Sequence, residues 1–173
     1  MWSRQLWLRY LSDKHEINLD GKTISKIIES FWMSAAGNSK IDPKTEKWIK
    51  DNEKRLFIIT GSDRNLIFRA GKIIYNSKYS KRIKIKRMKA QGLKIQPRNI
   101  ITGDPYDKDT REFWQNISKR MPQDVIVIDD STIIVSRAKN CGFRSFLFDP
   151  DGKHYEKSFK NRITDLTEIS RIA

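Results

Sequence analysis

The chain has 173 residues, a mass of 20.4 kDa and a formal net charge of +14, from 35 Lys and Arg residues against 21 Asp and Glu. Hydrophobic residues make up 38% and charged residues 32%, which is typical of a folded protein and excludes a disordered one. No apolar run approaches the roughly 18 residues of a membrane span, and the N-terminus lacks the apolar stretch of a signal peptide. One cysteine and two histidines exclude a disulfide framework and a zinc cluster. We therefore expect a soluble, intracellular protein of the cytoplasm, with no membrane partner.

The positive charge is concentrated in one stretch. Between Arg64 and Gly103 there are 12 basic residues and no acidic one, which leaves a net +2 for the other 133 residues. The stretch is either an ordinary solvated surface or an electropositive face, over 64–98, that attracts nucleic acid or an acidic partner. The densest part of this predicted basic surface contains Lys81, Arg82, Lys84, Lys86, Arg87 and Lys89.

The first third of the chain has the periodicity of helices. Apolar residues recur at three- and four-residue spacing over 3–14 and again over 22–36, which predicts a helical hairpin. Asp42-Pro43 predicts the start of a third helix that continues through Asn52. The five tryptophans, at positions 2, 7, 32, 48 and 114, fall among other apolar residues and are expected to pack rather than to stack on bases.

Short apolar runs bounded by polar turns begin near residue 55. They predict strands at about 55–60, 99–102, 124–129 and 144–148, with helices at 108–120 and 131–140 between them. This alternation is typical of an α/β fold with a mostly parallel, doubly wound sheet. Ligands of such folds bind outside the carboxyl ends of the strands.

Residues 71–98 leave two interpretations open. The segments 73–75 and 82–86 have the composition of two short strands. Equally, 80–92 reads as one basic helix that Gly92 would close.

The predicted strand ends carry the candidate functional residues. Thr60 supplies a hydroxyl beside the backbone amides of Gly61 and Ser62, which suits a phosphate oxygen. Asp129 and Asp130 could hold Mg²⁺, one directly and its neighbour through water. Lys108 opens a predicted helix, and its ammonium could neutralise a phosphoryl group and a carboxylate together. Asp104 also ends a strand, where it would reach the cleft or cap the next turn.

Three segments together resemble the haloacid dehalogenase (HAD) superfamily of hydrolases, most of which are Mg²⁺-dependent phosphatases. They are LFIITGS at 56–62, ITGDPYDKDTREFW at 101–114 and DVIVIDDSTIIVSRAKNCGFRSFLF at 124–148. The resemblance implies that Thr60 binds phosphate, that Lys108 stabilises the nucleophile and the phosphate, and that Asp129 and Asp130 bind Mg²⁺. It also implies a Rossmannoid, HAD-like core at 42–173, preceded by a small helical cap at 1–41.

The chain departs from this family at its N-terminus. The family's first strand ends in Asp-x-Asp, whose first Asp attacks phosphorus and whose second is the general acid. Asn18-Leu19-Asp20 is only superficially similar, because Asn18 cannot form the acyl-phosphate, and Asp13 follows a segment with helical periodicity. We expect the missing central strand to come from an upstream segment, from residues 5–12 or 73–86, or from a second copy by strand exchange in a homo-oligomer.

Two functions follow from this sequence. The first is a HAD-like, Mg²⁺-dependent phosphatase scaffold for an anionic phosphorylated substrate, whose nucleophile is missing or comes from outside the chain. The second is a non-catalytic HAD-like module that binds nucleic acid or an acidic partner through the face at 64–98.

Overall fold

The fold is known from a computed structural model. It describes residues 4–60, 66–69, 72–75, 77–102, 106, 108–122, 124–152 and 160–172. Three candidate residues, Gly61, Ser62 and Asp104, lie outside these ranges.

Helices make up most of the N-terminal part of the chain and alternate with strands after it. The helices are α1 (Arg4–Lys14), α2 (Gly21–Asn38), α3 (Pro43–Asn52), α4 (Ser77–Ala90), α5 (Arg111–Ser118), α6 (Thr132–Asn140) and α7 (Ile169–Ile172). The strands are β1 (Ile58–Thr60), β2 (Leu66–Arg69), β3 (Lys72–Tyr75), β4 (Ile100–Thr102), β5 (Ile126–Asp129), β6 (Arg144–Phe148) and β7 (Arg162–Ile163). The predicted hairpin of helices, the third helix and the four predicted strands are therefore confirmed.

Among the strands that the structure describes, three of the four pairings are parallel. β1 pairs with β4, β5 pairs with β6, and β6 pairs with β7 in parallel, whereas β2 and β3 form an antiparallel hairpin. The fold class is α/β, as predicted. The strands lie in sheets of two, two and three strands, in the orders β1-β4, β2-β3 and β5-β6-β7.

The chain divides into two compact units. Unit 1 comprises Met1–Asp42 and Ile49–Asp104, and unit 2 comprises Pro43–Trp48 and Pro105–Ala173. The division of the chain into a cap at 1–41 and a core at 42–173 stays a prediction.

Unit 1 is built on two apolar clusters. In the first, Ile24 and Ile28 of α2 pack with Ile83 of α4, and Leu8 of α1 covers them. The second surrounds buried Ile100 of β4 and lies beneath α4. Its buried members are Met88, Leu93, Ile95 and Ile100.

Unit 2 has the order strand, helix, strand around a buried core. Val127 of β5, Val135 and Ala138 of α6, and Leu147 of β6 are all buried, as is Trp114 of α5. Parallel strands that are covered on both faces carry continuous rather than alternating apolar runs, and β6 buries three consecutive residues, Ser145 to Leu147.

The structure decides between the two interpretations of 71–98. Lys72–Tyr75 is a strand, and Ser77–Ala90 is a helix. Gly92 adopts a φ of +76°, and the N–H of Leu93 donates to the carbonyl of Met88 at 2.9 Å. This is the glycine-closed helix end that the sequence indicated at this position.

Two of the segments expected to replace a central strand do not do so. Residues 5–12 lie within helix α1, with Gln5 and Ser12 buried and Trp7 and Tyr10 exposed. In 73–86, the strand portion pairs only with β2 among the described strands, and the rest is helical. Both expectations are wrong. Residues 5–12 have the three-to-four spacing of a helix, and in 73–86 the strand portion pairs with β2 while the rest is helix α4, whose Ile83 packs on α2.

Within the described ranges, no helix combines the length and the apolar character needed to cross a membrane.

Candidate functional site

Asp129 is the last residue of β5, at the carboxyl end of a parallel strand in unit 2. Val127 and Asp129 are two residues apart and therefore share one face of the strand; Val127 is buried, and the Asp129 side chain is 13% exposed. Its Oδ1 accepts a hydrogen bond from the backbone N–H of Ser131 at 2.9 Å. An aspartate that bonds the chain two residues ahead forms a local turn, which here leads directly into helix α6. The carboxylate is therefore held by its own backbone.

Ser131 occupies the N-cap position of α6, but its side chain makes no capping hydrogen bond. The turn at Asp129 orders this end of the helix instead. Asp130 directly follows the strand and is exposed.

Lys108 contacts the second oxygen of the Asp129 carboxylate. Its Nζ lies 2.8 Å from Oδ2 of Asp129, which is both a hydrogen bond and an ion pair. The Lys108 side chain is 26% exposed, so the pair lies partly out of solvent. The two residues are 21 positions apart, and the fold of unit 2 brings them together. The structure thus places the Lys108 ammonium beside the carboxylate at the end of β5.

The backbone at Lys108 is fixed by a buried tryptophan. The indole N–H of Trp114 donates to the carbonyl of Lys108 at 2.7 Å, and Trp114 is only 1% exposed. The ring of Trp114 packs edge-on against Phe113 and Phe143, with centroid separations of 5.2 and 5.9 Å. Thr110 caps α5 by accepting the N–H of Phe113. Rigid packing of Trp114 thus limits where the Lys108 ammonium can lie.

Thr60 ends β1 in unit 1 and is buried, at 7% exposed. In the parallel β1–β4 ladder it lies opposite Thr102, the last residue of β4. Adjacent strands are about 4.8 Å apart, so paired residues place their side chains on the same face of the sheet. A common site for Thr60 and Asp129 stays a prediction.

Thr102 and Trp114 are two residues that sequence reasoning did not select for the site. For Thr102 a signal exists: the tetrapeptide Ile-Ile-Thr-Gly occurs at 58–61 and again at 100–103, and the register pairs Ile58 with Ile100 and Thr60 with Thr102. For Trp114 the sequence offers no signal that separates it from a core residue.

The described contacts of Asp129 bear on the predicted magnesium site. Both oxygens of Asp129 already accept hydrogen bonds, one from Lys108 and one from Ser131. Within the described ranges, no group of three or more Asp, Glu, His or Cys side chains could hold a metal ion. Mg²⁺ usually retains several waters and needs only one or two carboxylates. Here, however, the ammonium of Lys108 occupies the position beside Asp129 Oδ2 that a cation would take. Binding of Mg²⁺ by Asp129 and Asp130 stays a prediction.

The predicted basic surface lies on helix α4. Its apolar residues Ile83 and Met88 are buried. Lys86 forms an ion pair with Glu29 of α2, and Arg82 Nη2 lies 3.9 Å from the same carboxylate. Arg87 stacks over the ring of Trp32, with its guanidinium carbon 4.0 Å from the ring centroid. Part of the positive charge of α4 is thus engaged within unit 1.

Comparisons of this chain with models of protein families, with curated proteins and with solved structures found no match.

Proposed function

We propose that this chain is a HAD-like α/β domain whose Lys108–Asp129 pair receives the phosphoryl group of an anionic substrate. The observation that supports this most is the 2.8 Å contact between Lys108 Nζ and Asp129 Oδ2 at the carboxyl end of β5. In open α/β sheets this end of the strands is where ligands bind. For Lys108, this position supports the phosphate-stabilising role that the resemblance implies.

Lys108 is the residue that would contact the phosphoryl group. An ammonium has three N–H donors, and its described contact with Asp129 uses one of them. Because a quarter of the side chain is exposed, at 26%, another anion can approach from solvent. A cation positioned in advance, close to where negative charge develops, stabilises that charge without reorganising. Asp129 acts as a positioning residue, since it holds the ammonium in place.

The reaction would be hydrolysis of a phosphomonoester, with Lys108 stabilising the charge of the transferred group. A phosphate-binding hydroxyl from Thr60, at the end of β1 in unit 1, stays a separate prediction. In the related family Mg²⁺ supplies further charge neutralisation when bound, and the nucleophile is an aspartate. We assign no residue of this chain as that nucleophile: Asp13 lies in α1, and Asp20 caps α2 by accepting the N–H of Thr23 at 2.7 Å.

The experiment has two parts, each carried out with and without Mg²⁺. Isothermal titration calorimetry measures the binding of inorganic phosphate, and the release of p-nitrophenol measures the hydrolysis of p-nitrophenyl phosphate. Lys108→Met should weaken phosphate binding at least about 10-fold, since it removes the charge but keeps most of the chain length. Lys119→Met is the matched control, because Lys119 is exposed at the end of α5. It should bind phosphate like the unchanged protein.

Turnover that Lys108→Met abolishes would support a hydrolase. Phosphate binding without turnover would support the non-catalytic module instead. Equal phosphate affinity in Lys108→Met and Lys119→Met would contradict the assignment of Lys108.

A further inference from the structure

Helices α1 and α2 carry large aromatic side chains that the core of unit 1 does not cover. Trp7 is 52% exposed, Tyr10 60% and Phe31 49%. The core side of the same helices is occupied by other residues, namely Gln5, Ser12, Ile24 and Ile28. The expectation that Trp7 packs is therefore wrong: its place in the helical repeat lies outside the positions that face the core.

Cations are interleaved with these rings. The guanidinium carbon of Arg4 lies 4.7 Å from the ring centroid of Phe31 and 4.4 Å from that of Trp32. Lys14 Nζ lies 5.9 Å from the ring centroid of Tyr10. Trp7 follows Arg4 by three residues, one helical turn, and Tyr10 follows Trp7 by three more, so these three side chains are neighbours along α1. We call Arg4, Trp7, Tyr10, Lys14 and Phe31 the aromatic–basic surface.

The unit that bears this surface also bears nearly all of the net charge. Its ranges contain 21 Lys and Arg residues and nine Asp and Glu, a net charge of +12, whereas unit 2 has 14 and 12, a net charge of +2. A charge of this size attracts polyanions from solution. The charge alone does not explain the exposed aromatic rings, because large aromatic side chains are depleted from protein surfaces that contact only solvent.

Single-stranded nucleic acid meets both requirements. Its phosphates match the cations, and its unpaired bases present flat faces on which aromatic side chains stack. A duplex keeps its base faces within the helix, and an acidic peptide has carboxylates but no regular series of rings. We propose that the aromatic–basic surface of α1 and α2 binds single-stranded nucleic acid, with Trp7 as the principal stacking residue. The residues of this surface differ from those of the Lys108–Asp129 pair and from those of the predicted basic surface of α4, where Arg87 lies over the same Trp32 ring as Arg4.

The test is fluorescence anisotropy of a labelled oligothymidylate of about 20 nucleotides, measured at about 50 and 200 mM salt. An abasic oligonucleotide of the same length serves as a second probe, because it keeps the phosphates and lacks the bases. Trp7→Ala should weaken oligothymidylate binding about 10-fold and leave abasic binding almost unchanged. Trp7→Phe should retain most of the affinity, which guards against a folding defect. Tyr106→Ala is the matched control, since Tyr106 is an aromatic residue of unit 2 that is 41% exposed.

Binding that prefers oligothymidylate, falls with salt and is lost in Trp7→Ala but not in Tyr106→Ala would establish the surface. Equal affinity for the abasic probe would overturn the stacking role. Absence of oligonucleotide binding at low salt would overturn the inference altogether. The inference would also be overturned if sedimentation showed a dimer that binds no oligonucleotide and that Trp7→Ala dissociates. The aromatic rings would then form an interface between two copies of the chain.

Discussion

Trp114 is the residue on which the position of Lys108 depends most directly. It lies in the core of unit 2, yet its indole N–H extends 2.7 Å to the Lys108 carbonyl, so core packing and the candidate site share one side chain. The Lys108 side chain is in turn held by Asp129, and Asp129 by the N–H of Ser131. Together these three contacts restrict the position of the Lys108 ammonium and hold it at the carboxyl end of β5 in the absence of a ligand.

Trp114→Phe should lower the free energy of unfolding by about 2–3 kcal/mol. The change leaves a buried carbonyl without its donor and a small cavity beside Phe143. Urea denaturation measures this difference. Trp7→Phe is the control, because Trp7 is 52% exposed and the same substitution there should change stability by less than about 0.5 kcal/mol. Equal effects at the two positions would show that the Trp114 hydrogen bond and packing contribute nothing specific.

At the scale of whole elements, the start of α2 is fixed by one carboxylate. Asp20 lies at the N-cap, and hydrogen bonds from the side chain and the backbone N–H of Thr23 hold the pKa of Asp20 below its ordinary value of 3.8. A carboxyl whose pKa is lower in the folded state stabilises the fold above its unfolded pKa. That stabilisation is lost as the pH falls through the lower, folded value.

Acidification below about pH 4 should therefore weaken the start of α2. The Asp20 carboxyl resonance, followed by NMR, should titrate at a pH below the ordinary aspartate value of 3.8. Asp20→Asn keeps a capping side chain but cannot titrate, so this variant should lose that part of the acid dependence. Titration of Asp20 at or above its ordinary value would show that the cap does not form.

The sequence predicted the elements well where their periodicity was unambiguous, as in 22–36 and 124–129. The segment 82–86 was ambiguous because Ile83 and Ile85 alternate with lysine and arginine, which fits a strand. The structure makes it helical because Ile83 packs with Ile24 and Ile28 of α2, and this partner is not visible in a local pattern. The strand end at Asp129 could be predicted, since a carboxylate follows an apolar run. Its contact with Lys108 across 21 residues could only be proposed from a resemblance.

At the scale of the whole molecule, the positive charge is distributed unevenly, with unit 1 carrying +12 of the total +14. One acidic residue offsets part of it where helices α2 and α4 meet: Glu29 pairs with Lys86 and lies near Arg82. The pair with Lys86 is partly exposed, and such pairs contribute little to stability, because solvent and salt screen them. Glu29 therefore has more influence on the local potential than on folding.

Glu29→Gln should strengthen binding of a polyanion such as heparin about two- to threefold at low salt and change the free energy of unfolding by less than about 1 kcal/mol. Elution from a heparin column and urea denaturation measure the two effects. Glu112→Gln provides the comparison, since Glu112 is exposed on α5 of unit 2. A polyanion affinity that rises equally in both variants would mean that net charge alone, and not the face formed by α2 and α4, determines the attraction.

The placement of a phosphoryl group beside Lys108 is tested most directly by crystals of the protein soaked in tungstate, a phosphate mimic whose anomalous scattering locates it without ambiguity. The account predicts an anomalous peak within hydrogen-bonding distance of Lys108 Nζ at the carboxyl end of β5, and loss of that peak in Lys108→Met. Tungstate bound elsewhere, with the Lys108–Asp129 pair intact and unoccupied, would contradict it.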